Sequence, residues 1–70
     1  MKTNKEMIEE IIKTYGAMTS RQIAVQLYNK MGVSLTPAQV AGSVRILVAE
    51  NKLATSKDAR NQNRYWVVNQ

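Results

Sequence analysis

Apolar positions recur at helical spacing through three stretches of the chain, and the period then shortens. Met7, Ile8, Ile11, Ile12 and Tyr15 make one stripe, which predicts a helix over residues 4–15. Ile23, Ala24, Leu27, Tyr28 and Met31 make a second, over 20–31, and Val40, Ala41, Val44, Leu47 and Val48 a third, over 37–50. Beyond residue 50 two strands are expected. Leu53-Ala54-Thr55-Ser56 opens the first, and Arg64-Tyr65-Trp66-Val67-Val68-Asn69 is dense in aromatic and β-branched residues. The polar, basic residues 57–63 between them have the composition of a mobile hairpin tip. Ala17-Met18 has room for a very short strand. Tyr65 and Trp66 point to opposite faces of theirs, so at least one joins the core.

The helix starts share one grammar. Met18-Thr19-Ser20-Arg21-Gln22-Ile23 and Leu35-Thr36-Pro37-Ala38-Gln39-Val40 each place Gln three residues after Thr, between two apolar residues. The Thr hydroxyl can accept the third amide of the helix while the Gln side chain reaches back to the Thr amide. The apolar pairs Met18–Ile23 and Leu35–Val40 can close as staples. Pro37 suits a first helical turn, where its missing N–H has no partner to lose. Thr3-Asn4-Lys5-Glu6 is a third box of this kind. Gly16, Gly32 and Asn51 stand where left-handed residues end helices.

Seventy residues make one domain, 1–70, which buries only roughly 60% of the surface of its unfolded chain. No cysteine or histidine is present, so neither a disulfide framework nor a structural zinc site is expected. No apolar run approaches the roughly 20 residues of a membrane helix, and the opening residues lack the apolar stretch of a secretory signal. The expected location is cytoplasmic, with no membrane partner.

Charge changes the picture. The net charge is +5, and from Lys13 onward eight basic residues face two acidic ones, Glu50 and Asp58. A basic later chain suits a polyanion.

Helix, short strand, helix, helix, strand, basic loop, strand is also the order of winged helix-turn-helix domains, and nearly the whole chain resembles that superfamily, particularly its small bacterial and phage regulators. The resemblance is carried by Met18-Thr19-Ser20-Arg21-Gln22-Ile23-Ala24 at the second helix, by Val40, Val44 and Leu47 leading into Glu50-Asn51-Lys52-Leu53, and by Arg64-Tyr65-Trp66-Val67 on the returning strand. Asn51 replaces the commoner glycine, and the link between helices two and three is somewhat long. The resemblance implies an α+β, mostly helical fold: three helices plus a C-terminal β-hairpin wing. It also implies that helix three enters the major groove of double-stranded DNA while helix two positions it.

On helix three, Gln39 either closes its capping box or reads adenine, and it cannot easily do both. Arg45 reads guanine or grips phosphate, Gly42 allows close approach, and Ser43 lies on a flank. Exposed Ile46 touches a thymine methyl or marks a protein-contact face. Ser20 and Arg21, in the first turn of helix two, favour phosphate. On the wing, Lys57, Arg60 and Arg64, with Asn61, Gln62 and Asn63 between them, offer charge and amide groups to backbone or minor groove, and Lys52 is a further phosphate candidate.

Catalysis is not expected. Glu6, Glu9 and Glu10 read as a solvated helix face, the serines have no visible general base, and no phosphate-cradling glycine loop is present. No cofactor is called for. The expectation is therefore sequence-specific or general duplex-DNA binding in transcriptional, phage or plasmid regulation, by one copy or a homodimer. The rival is a protein-interaction module docking on host transcription or replication machinery, favoured by Ile46 and by a surplus apolar face on the last strand. An RNA-binding module is a weaker third reading.

Overall fold

Three helices cover one side of a small antiparallel sheet. The computed structural model describes residues 2–68 and runs α1 (Asn4–Tyr15), β1 (Met18–Thr19), α2 (Ser20–Met31), α3 (Pro37–Ala49), β2 (Leu53–Lys57) and β3 (Asn63–Val67). The sheet order is β1-β3-β2 with both pairings antiparallel, so β3 is the central strand. Among the described residues no helix is long and apolar enough to cross a membrane.

All three helices start with a reciprocal capping box. Thr3, Thr19 and Thr36 each accept the N3 amide, at 3.2, 3.3 and 3.1 Å. Glu6, Gln22 and Gln39 accept the Thr amides in return, at 2.9, 3.0 and 2.9 Å. Two otherwise orphaned donors are thus satisfied at each start. At the end of α3, Asn51 adopts φ 61°. Its amide donates to the Val48 carbonyl at 3.0 Å, and the Lys52 amide donates to Leu47 at 2.9 Å. That is a Schellman closure built on Asn instead of Gly.

The core consists of Ile8, Ile11, Ile12, Met18, Ile23, Ala24, Leu27, Val40, Val44, Leu47, Leu53 and Tyr65. Met7, Met31 and Val48 pack against it partly buried and Ala41 is half-buried, whereas two residues of the stripes are exposed. Tyr15 is 49% exposed and Tyr28 64% exposed. Tyr28 is five residues past Ile23, about 140° around the helix, which carries it over the rim of the buried stripe. Tyr15 instead takes the Lys30 ammonium over its ring, 5.8 Å from the centroid. Of the adjacent aromatics on β3, Tyr65 is buried and Trp66 faces out.

Boundaries shift slightly from expectation. The first strand is Met18–Thr19, one residue later than read, and α3 ends at Ala49 with Glu50 as its cap. The hairpin strands reach further toward each other, Lys57 pairing with Asn63. The tip shrinks accordingly to residues 58–62. Asn69, read as part of the last strand, lies outside the described residues.

Candidate nucleic-acid interface

The tip of the hairpin is closed by one carboxylate. Asp58 Oδ1 accepts the Arg60 and Gln62 amides at 2.9 and 3.0 Å. The Asn61 amide donates to the Asp58 carbonyl at 3.0 Å, and the Asp58 amide to the Gln62 carbonyl at 2.9 Å. Asn61 takes φ 63°, so the tip is a three-residue turn with a left-handed third residue. Asp58 Oδ2 accepts from Arg64 Nε at 3.1 Å. These bonds, that from Gln62 foremost, hold the Asp58 carboxyl below its ordinary value, partly offset by burial. The residues thus form a hydrogen-bonded turn.

Register then sorts the hairpin's polar side chains between its two faces. Leu53, Thr55 and Lys57 of β2 share a face with their partners Val67, Tyr65 and Asn63, and this face is the one that meets the core. Ser56 and Arg64, paired with each other, lie on the opposite face with Ala54 and Trp66. Lys57 and Arg64 therefore do not act from the same side of the hairpin.

The core-side face continues beyond Tyr65 into an open cleft. Thr55, Asn63 and Tyr65 form its sheet wall, Ala41, Arg45 and Val48 its α3 wall, and Thr19, Ser20 and Arg21 its α2 end. A second cleft adjoins the first and shares Arg21. It runs past Gln22 to Arg60, Gln62, Asp58 and Arg64 at the hairpin tip. Arg21 is thus the junction between the helices and the hairpin. Among the described residues Arg21, Arg45, Lys57 and Arg60 have no ion-pair partner.

The remaining candidates stand apart from this set of unpaired cations. Arg64 is paired with Asp58, which cancels its charge locally. Lys52 stands at the far end of β2 from Lys57, roughly 16 Å away at strand rise. Its charge acts on Glu6 at the start of α1, where Lys5 also pairs with Glu50 at 3.5 Å. Glu6 is held below its ordinary value mainly by the Thr3 hydrogen bonds. Ser43 is half-buried, about 160° around α3 from Ala41, and does not reach the cleft. Gly42 and Ile46 are exposed on the outer side of α3. The Gln39 amide oxygen is taken by its capping box.

Sequence reasoning missed the parts played by Asp58 and Thr55. An Asp opening a polar turn that has Asn at its third loop position is a recognisable hairpin signal. Thr55, on the sheet, has no such local mark. Compared with models of protein families, with curated proteins and with solved structures, the chain finds no match.

Proposed function

We propose that the chain is a winged helix-turn-helix module that binds double-stranded DNA, with α3 in the major groove and the β2–β3 hairpin as its wing. It acts as a binding protein, not an enzyme, in regulating transcription or a phage or plasmid process. The observation carrying this reading is the junction at Arg21. Two adjoining clefts, one ending at Arg45 and the other at Arg60, share that residue, and none of the three arginines has an acidic partner among the described residues. Cations left unpaired along one surface are what a phosphate backbone requires, and the first turn of α2 beside them, which holds no acidic residue, favours anions further. Lys57 extends the same sheet face toward the tip.

Retention of a random duplex in a mobility shift, repeated across salt concentrations, tests the reading. Four cations on phosphates give a slope of log affinity on log salt of about −3 to −4. Replacing Arg21, Arg45 and Arg60 by Gln should abolish most of that slope. Undiminished affinity in the folded triple variant would remove the interface.

A second reading, docking on a protein, is favoured by a different surface. Val25, 51% exposed, and Tyr28, 64% exposed, flank an apolar groove completed by Leu35 and Pro37. A protein-docking module would retain little duplex even at low salt.

A further inference from the structure

The outward face of α3 is the part of the interface that charge does not explain. Counting about 100° per residue, the buried side centres on Val40, Val44 and Leu47. Arg45 and Ile46 then border the opposite sector, one on the cleft side and the other across from it, with Gly42 between them. Ile46 is 50% exposed. Gln39 is the nearby side chain with the paired donor and acceptor that adenine readout needs, but its oxygen is committed to the Thr36 amide at 2.9 Å. Pairing it with a base would break the cap of α3.

Gly42 adds a second, independent observation. Its backbone is ordinary helix, not the positive-φ conformation of Gly16 and Gly32, and a methyl group built there meets nothing within 4 Å. No neighbour inside the fold requires glycine at this position, although glycine weakens a helix interior. The open space leaves room for an outside surface to come close to the helix backbone at this point.

Resting on the DNA reading above, we propose that this face recognises thymine: Gly42 admits the floor of the major groove close to α3, and Ile46 lies against thymine C5-methyl groups. The methyl is the apolar feature that a base pair presents in the major groove, and an isoleucine meeting it removes both from water. Base discrimination in this module therefore comes from methyl contact, while Arg21 and Arg45 hold the backbone beside it. Duplex RNA is a poor ligand for the same face, since it lacks the methyl and its major groove is too narrow for side chains to read.

The experiment compares two duplexes of one A·T-rich sequence, the first with thymine and the second with deoxyuridine, by fluorescence anisotropy at fixed salt. The wild-type chain should bind the deoxyuridine duplex about fourfold more weakly for each methyl it contacts. Ile46→Ala should bind both duplexes alike. Gly42→Ala should lose affinity for both while its thermal midpoint holds or rises. Equal wild-type affinity for the two duplexes, an undiminished preference in Ile46→Ala, or unchanged affinity in Gly42→Ala overturns the proposal. Salt-dependent binding without a methyl preference leaves the DNA reading standing and removes thymine recognition alone, whereas no binding of either duplex at low salt removes both.

Discussion

Asp58 and Arg64, joined at 3.1 Å, stand at opposite ends of one hairpin turn, and the carboxylate that neutralises the arginine also ties down the Arg60 and Gln62 amides. One side chain thus shapes the tip and subtracts a charge from the surface proposed to meet DNA. The two roles can be separated. Asp58→Asn keeps an amide oxygen for the backbone donors but releases Arg64 as a free cation beside Arg60. Duplex affinity at low salt should rise, and the salt slope should steepen by about one unit. Mobility shifts at four or five salt concentrations read both quantities. An unchanged slope would place Arg64 outside the interface.

The same carboxylate gives folding a pH dependence. Asp58 and Glu6 both titrate below their ordinary values in the folded chain because they accept hydrogen bonds there. Each therefore binds a proton less readily folded than unfolded. Their contribution is fully present above the unfolded values, near pH 4, and is lost as pH falls through the lower folded ones. Thermal midpoints followed by circular dichroism should be flat above about pH 5.5 and drop below about pH 4. Glu6→Gln, which can still close the α1 box, should drop less steeply.

Caps and core contribute on different scales in a chain this small. Thr36→Ala removes one half of the α3 box and should cost about 1 kcal/mol. Leu47 is 1% exposed at the centre of the core, and Leu47→Ala should cost about 2–5 kcal/mol. A domain of this length has a total stability on the order of 4–10 kcal/mol. Chemical denaturation should therefore show the capping variant folded with a lower midpoint and the core variant close to unfolding.

The difference between what was legible in the sequence and what was not follows the range of the interactions. The boxes at Thr3, Thr19 and Thr36 lie within four residues, so the helix starts could be read directly, and Asn51 as a left-handed cap is equally local. The hairpin was readable too, but the faces of Lys57 and Arg64 were not. Side-chain direction alternates residue by residue, and register depends on a turn length that composition alone left too long by two residues. Lys52 resembled the other cations in sequence, and only the approach of α1 to the end of α3, where Lys5 pairs with Glu50, brings its charge to bear on Glu6. Arg21, Arg45 and Arg60 are far apart in the chain and come to border two adjoining clefts through tertiary packing. No spacing rule marks that arrangement.

Tyr28 separates the two functional readings most directly. It belongs to the α2 stripe by spacing, yet it is 64% exposed beside Val25 and lines the apolar groove with Leu35 and Pro37. Arg21, at the start of the same helix, borders both this groove and the two basic clefts. Tyr28→Ser removes an exposed ring with few core contacts, so stability should change by no more than about 0.5 kcal/mol. If α3 and the hairpin are the working surface, duplex affinity should stay within about twofold of wild type, whereas Arg21→Gln should weaken it by nearly one unit of salt slope. Side-by-side mobility shifts of the two variants decide the matter. Tyr28→Ser losing duplex as severely as Arg21→Gln would draw the α2 groove into the DNA interface, and an Arg21→Gln chain that binds duplex like wild type would favour the protein-docking role.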